Sequence, residues 1–222
     1  MQPDFRKPAW HIASYPRSGS NLVRTLLETF SGRPTIGCPQ SGKKDLPMHA
    51  RAVQADRNPI EITDQDPIGY TSHRPSQIMF HRAHVDAPLG FLFLTRQPGA
   101  AIASKLLQEH RRFAALSPLK QRRLIETEID SYLGLVTFFA SEPSATKHHL
   151  RFEDLVSASW QDAHLGETLG QLSGVHDDQD IKVPPVSGPK SAGQDDLKSG
   201  IAERVARVLT YDDVMEIIIH NS

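Results

Sequence analysis

The sequence predicts an α/β fold with a mainly parallel central sheet flanked by helices, and three observations predict it. Leu89 to Thr95 (LGFLFLT) is the most continuous apolar run in the chain and suits a central strand buried on both faces. Apolar runs alternate along the chain with segments of helical periodicity, which favours parallel strands joined by helices. Three predicted strands are followed by clusters of polar residues, at the strand ends where such sheets bind ligands.

The elements follow in order. Trp10 to Tyr15 is a short apolar run, and Leu22, Val23, Leu26, Leu27 and Phe30 give the next segment, about 20–31, a helical pattern. Gly32 to Asp66 is polar and rich in Pro and Gly, a long connection with at most a short helix near 49–55. Ile68 to Ser72 reads as a weak strand ended by His73-Arg74-Pro75. After the run at 89–95, Pro98 starts a helix whose buried side is Ala100 to Ala103 with Leu106 and Leu107. From Leu119 to about Ala140 the periodicity of Leu124, Ile125, Ile129, Leu133, Val136 and Phe139 predicts a longer helix. Its wet face would carry Lys120, Arg122, Arg123, Glu126 and Glu128. His149 to Phe152 predicts a further strand, 160–172 a helix, 183–200 a loop and 201–219 a last helix.

The 222 residues allow one substantial core, taken as a single domain over 1–222. Hydrophobic and charged fractions of 38% and 23% fit a soluble globular chain, and the net charge of -1 gives no global attraction to nucleic acid or membrane. Any anion site must therefore be local. The single cysteine, Cys38, excludes an internal disulfide, and no apolar run reaches the 18 residues of a membrane span. The expected setting is cytoplasmic.

Chemistry concentrates after the strands. Pro16-Arg17-Ser18-Gly19-Ser20-Asn21 joins a strand to a helix whose first turn has unpaired N–H groups and the positive end of the helix dipole. Small side chains at Ser18, Gly19 and Ser20 let an anion reach that backbone, and Arg17 adds a fixed cation, so the loop suits phosphate or sulfate. Arg96 leaves the most buried strand, and Ser104, two helical turns into the next element, falls on roughly the same side. Together they can grip one phosphate. Taken singly, these features have plainer readings: a helix cap for the serine-glycine turn, a surface ion pair for Arg96, a structural histidine for His73.

Taken in order, three segments resemble the PAPS-dependent sulfotransferases, in particular small, soluble, bacterial-type members. Tyr15 to Asn21 looks like their 5′-phosphosulfate loop. Leu94-Thr95-Arg96-Gln97-Pro98-Gly99-Ala100-Ala101-Ile102-Ala103-Ser104 resembles their 3′-phosphate motif, and Leu150-Arg151-Phe152-Glu153-Asp154-Leu155 is similar to a downstream Arg-Tyr-Glu-Asp-Leu strand. The set spans roughly residues 10 to 156 with family-like spacing. The resemblance implies a P-loop nucleotide-kinase-like fold and the donor 3′-phosphoadenosine-5′-phosphosulfate (PAPS), with 3′,5′-ADP (PAP) as product. By the same resemblance Arg17, Ser18, Gly19, Ser20 and Asn21 would surround the 5′-phosphosulfate, while Arg96 and Ser104 would hold the 3′-phosphate. His73, in Tyr70-Thr71-Ser72-His73-Arg74-Pro75, matches the family's general base but lacks the Lys that usually stands two residues before it. The closing loop of the family is only echoed by Gly188 to Gly193, where Lys190 and Ser191 are the candidates. No metal is implied, since the cations come from the protein.

The acceptor would be a small molecule, carbohydrate-like or otherwise, held by loops at 32–66, 74–88 and 111–119, with neither nucleic acid nor membrane as partner. Two alternatives stand beside this reading. Gly37-Cys38-Pro39-Gln40-Ser41-Gly42-Lys43-Lys44 approaches a Walker A sequence, as a P-loop NTPase or small-molecule kinase requires, but Lys44 occupies the place of the Mg²⁺-holding Ser or Thr. A catalytically inactive PAP(S)-binding module is the other. His81 and His84, and the neighbours His148 and His149, are too few for a complete metal-ligand set.

Overall fold

The computed structural model describes residues 10–36, 67–84, 90–143, 146–174 and 195–220. Five strands, β1 (Trp10–Ser14), β2 (Thr35–Ile36), β3 (Gly69–Ser72), β4 (Gly90–Thr95) and β5 (Lys147–Arg151), form one all-parallel sheet in the order β2-β3-β1-β4-β5. β1 is the middle strand, with Ile12 opposite Thr71 of β3 on one side and Leu92 of β4 on the other. The chain moves outward from β1 to β2, returns through β3, then crosses β1 to reach β4 and β5. The direction of winding therefore reverses at β1, and the C-terminal strand ends beside such a reversal are where parallel sheets bind ligands.

Helices cover both faces of the sheet. They are α1 (Ser20–Ser31), α2 (Pro75–His84), α3 (Pro98–Glu109), α4 (Pro118–Ala140), α5 (Phe152–Leu155), α6 (Ala158–Trp160), α7 (Gly166–Ser173), α8 (Asp195–Ala206) and α9 (Tyr211–His220). Alternate residues of each inner strand serve opposite faces. Trp10, Ile12, Leu92 and Leu94 join Val23, Leu26 and Leu27 of α1 and Leu169 and Leu172 of α7 in one core. Ala13, Tyr15, Phe91 and Phe93 join α3, α4, α8 and α9 in the other. Phe93 stacks on Phe139 with ring centroids 4.5 Å apart, and each such buried ring contributes roughly 1.5–3 kcal/mol. α8 lies close against α3: a Cβ on Gly99 would sit 2.8 Å from the Ala202 carbonyl oxygen, so only glycine fits there.

Four readings of the sequence need correction. The segment after His73, read as part of a variable loop over 74–88, is helical over Pro75–His84, the ten residues of α2. Pro75 begins that helix, with Gln77 N–H and Ile78 N–H bonded to the Arg74 carbonyl, so the proline is a start signal and not only a strand terminator. The last helix, read as 201–219 after a loop that ran to 200, begins at Asp195 and is two helices separated at 207–210. Thr210 and Asp213 exchange hydrogen bonds of 2.7 and 3.2 Å, a reciprocal cap that restarts the chain as α9. Glu128 leaves the wet face of α4 and is 9% exposed in the core-facing stripe. The two-residue β2 strand is too short to leave a periodic signal. Among the described residues, no helix is long and apolar enough to cross a membrane.

A polar chain ties the end of β4 to β5 and α9. The Thr95 hydroxyl lies 2.7 Å from His149 Nε2 and 2.7 Å from Tyr211 Oη. Tyr211 can donate to Thr95 and Thr95 to an unprotonated Nε2, which requires a neutral imidazole. Burial, with a smaller effect from the Arg151 charge, pushes the His149 pKa down to about 4. Between the ordinary value near 6.5 and about 4 the unfolded chain binds the extra proton, so stability rises with pH in that window. Lowering the pH from 6.5 to 4 is therefore expected to remove up to about 3 kcal/mol, with no contribution from this group above pH 6.5. Thermal melts across that range, compared with His149→Phe, check it: the variant's melting curve should depend distinctly less on pH.

Candidate anion-binding site

The turn after β1 is built on unusual backbone. Ser18 N–H returns to the Tyr15 carbonyl at 3.1 Å, closing a tight turn that holds Arg17 at φ 70 and Gly19 at φ 95. Arg17 is the only described non-glycine residue with positive φ, a conformation that costs an L-residue roughly 1–2 kcal/mol. Gly19 is required twice over. Its φ is left-handed, and a Cβ there would drive into Cδ2 of the Phe152 ring and lie 2.8 Å from Cε2.

Gly19 is also the N-cap of α1, with no side-chain cap and no acidic residue in the first turn. Leu22 N–H is bonded to the Gly19 carbonyl, which leaves the N–H groups of Ser20 and Asn21 to face an external anion, and the dipole favours one. The Ser18 hydroxyl is fully buried and has no hydrogen-bond partner among the described residues. A buried hydroxyl without a partner is costly, and a bound oxyanion beside the turn is one way to supply it.

The second cluster joins the first directly. Arg96 NH1 donates to the Arg17 carbonyl at 2.9 Å, and Arg17 Nε donates to Ser104 Oγ at 3.3 Å. Three residues spread over 87 positions of sequence meet in one hydrogen-bonded set. The two cationic positions, which the sequence alone suggests as separate grips, are continuous here. Arg17 is exposed, and its bond to Ser104 is long enough for an incoming oxyanion to displace.

Arg96 is positioned from three sides. Its guanidinium lies 4.5 Å over the Phe152 ring, Tyr132 Oη donates to its carbonyl at 2.7 Å, and the next backbone N–H, of Gln97, donates to Glu153 Oε1 at 3.0 Å. Burial lowers the Arg96 pKa, the Glu153 charge opposes that, and the Arg17 charge adds to it. A guanidinium stays protonated regardless, so the effect is a half-buried cation in want of an anion. Glu153 therefore serves the start of α3, in keeping with a structural carboxylate.

His73 lies just past the end of β3, next to β1. Its Nδ1 is 2.8 Å from the Ser14 carbonyl and 3.3 Å from Ser14 Oγ, and its backbone N–H donates to Gln77 Oε1 at 2.7 Å. A carbonyl can only accept, so Nδ1 carries a proton, and in the neutral ring the lone pair is then on Nε2, the tautomer a general base needs. Ser14 opens the same turn that holds Arg17, so the imidazole and the loop share one strand end. Ser20 and Asn21 begin α1.

A carboxylate beneath this assembly was missed by the sequence reading. Tyr15 Oη donates to Glu128 Oε2 at 2.5 Å, and Lys105 Nζ donates to the same oxygen at 2.6 Å. Burial first, then the Glu128 carboxylate, push the Tyr15 phenol well above its ordinary value, so it remains a donor. A signal existed: Glu128 lies at the spacing of Ile125, Ile129 and Tyr132, on the apolar stripe of α4.

Lys190 and Ser191 lie outside the described residues, as do Cys38 and the Walker-like stretch 37–44. His148 and His149, adjacent in sequence, diverge: His148 packs edge-on against Trp10 and His149 bonds Thr95. Compared with models of known protein families and with curated proteins, the chain matches none.

Proposed function

We propose that the chain is a sulfotransferase that moves the sulfuryl group of PAPS to a hydroxyl or amine of an acceptor, on a P-loop nucleotide-kinase-like version of its α/β fold. The observation that carries this reading is the convergence of Arg17, Arg96 and Ser104 on the uncapped end of α1, beside a histidine in the base tautomer. The donor set fits a bisphosphorylated nucleotide: two guanidiniums, two hydroxyls and a helix N-terminus, with no carboxylate bonded to either guanidinium among the described residues.

In this mechanism the turn 16–21 receives the 5′-phosphosulfate through backbone N–H groups and Ser18, and Arg96 with Ser104 receives the 3′-phosphate. His73 Nε2 takes the acceptor proton as the acceptor oxygen or nitrogen bonds to sulfur and the bond from sulfur to the bridging oxygen breaks. Base assistance of this kind contributes typically about 10²–10⁴ in rate. Arg17 and the first-turn N–H groups neutralise the charge that gathers on the departing oxygen. Arginine is too weak an acid to protonate it, so Arg17 acts electrostatically.

Thermal stabilisation tests the reading. At about 100 times its Kd, PAP should stabilise the chain by about 2.7 kcal/mol, roughly 5–10 °C for this size, without magnesium. Selective stabilisation by ATP–Mg²⁺ would support a kinase instead. His73→Asn, which keeps a donor toward Ser14, should lower sulfuryl transfer by about 10²–10⁴ with PAP affinity unchanged. PAP binding without transfer to any member of a broad acceptor panel would support a binding module.

A further inference from the structure

The buried carboxylate on α4 touches neither phosphate grip directly, yet it is bonded to a neighbour of each. Tyr15, on one side, supplies the carbonyl that closes the turn onto Ser18. Lys105, on the other, directly follows Ser104, which contacts Arg17. One oxygen, Glu128 Oε2, accepts from both Tyr15 and Lys105. The Lys105 ammonium also lies 5.3 Å over the Tyr15 ring, so the three side chains form one compact unit. Four residues further along α4, Tyr132 holds the Arg96 carbonyl, and its ring packs against that of Tyr15 at 5.0 Å.

We propose that Glu128 is a positioning residue that holds the 15–19 turn, Ser104 and hence the Arg17–Arg96 pair in register from beneath the sheet end. The inference deepens the transfer reading and rests on it for its binding arm alone. Packing needs no charge at this position: the neighbouring residues of the α4 stripe, Ile125, Ile129, Leu135 and Val136, are aliphatic. A buried carboxylate bonded to a lysine and a phenol at fixed geometry supplies what aliphatic side chains cannot, a single angular relation between α3, α4 and the turn. An ion pair that merely joined α3 to α4 would have no reason to include the residue whose backbone closes the anion loop.

Hydrogen exchange on the full chain without ligand tests this. Glu128→Gln should raise amide exchange at Ser18–Val23 by roughly 3- to 30-fold, with Leu27–Phe30 and the middle of α4 unchanged. Lys105→Met should act in the same direction, and the double variant should be no worse than Glu128→Gln alone. Wild-type exchange in the turn, or a uniform rise through α1, α3 and α4, overturns the proposal. Should Glu128→Gln fail to fold, Lys105→Met gives the same readout. Where wild-type protein binds PAP, Glu128→Gln should weaken it by roughly 3- to 30-fold; unchanged PAP affinity overturns the proposal. A wild-type chain that binds no PAP overturns the transfer reading, while the exchange result still decides this one.

Discussion

Arg96→Ala is expected to lower PAP affinity roughly 30-fold to a few thousand-fold, the 2–5 kcal/mol typical of truncating one partner of a half-buried, hydrogen-bonded charge contact. The size follows from where the guanidinium sits. It lies on the Phe152 ring, donates to the Arg17 carbonyl and has no carboxylate bonded to it among the described residues, so a bound phosphate would be its compensating charge. Removing it would withdraw the proposed phosphate ligand and also the donor that steadies the strained residue of the turn. Arg96→Lys should recover little, because an ammonium is a point charge and cannot stack on Phe152 while donating in two directions. Calorimetric titration of the variants decides the matter, with Arg122→Ala as control. Arg122 is fully exposed and, among the described residues, paired along its own helix with Glu126, so its loss should leave PAP affinity unchanged.

Arg17→Gly should separate stability from activity. Arg17 sits at φ 70, which glycine adopts without the roughly 1–2 kcal/mol that an L-residue incurs. Against that relief stands the extra freedom glycine gives the unfolded chain, roughly 0.5–1 kcal/mol. The melting temperature should therefore stay level or rise slightly. Sulfuryl transfer should fall by about 10²–10³, the loss of one preorganised group at the developing charge. Arg17→Ala loses the same charge and keeps the strain, so it should melt below the glycine variant. Loss of stability without loss of transfer in Arg17→Gly would mean that the residue is structural.

The pattern of what was readable has a physical cause. Local signals were strong after β1 and β4, where each strand passes through a short polar turn into a long amphipathic helix. The turn at 16–21, the strand ending at Thr95 and the helix from Pro98 all stand at or within a residue or two of the expected limits. Strand order was beyond reach, because hydrogen bonding between β1 and β4 joins segments some eighty residues apart and leaves no periodic trace. Pro75 reads in the sequence as an end and in the fold is a beginning, since proline marks strand termini and first helical positions alike. Thr210 and Asp213 carried a capping signal that an apolar run through Val205, Leu209, Val214 and Ile218 obscured. Glu128 was assigned to water because glutamates usually face it, although its spacing put it on the core stripe. At the site, residue types were legible and contacts were not. Arg17, Arg96 and Ser104 were each identifiable, whereas their mutual bonding needed the turn's left-handed backbone, which no side-chain pattern encodes.

A crystal structure of the chain with bound PAP would decide whether Arg17 and Arg96 serve one nucleotide. A single nucleotide should lie across the β1 and β4 ends, its 5′-phosphate on the N–H groups at the start of α1 and its 3′-phosphate on Arg96 and Ser104, with the Arg17–Ser104 bond replaced. A nucleotide seated elsewhere, or both phosphates away from Arg96, would contradict this arrangement.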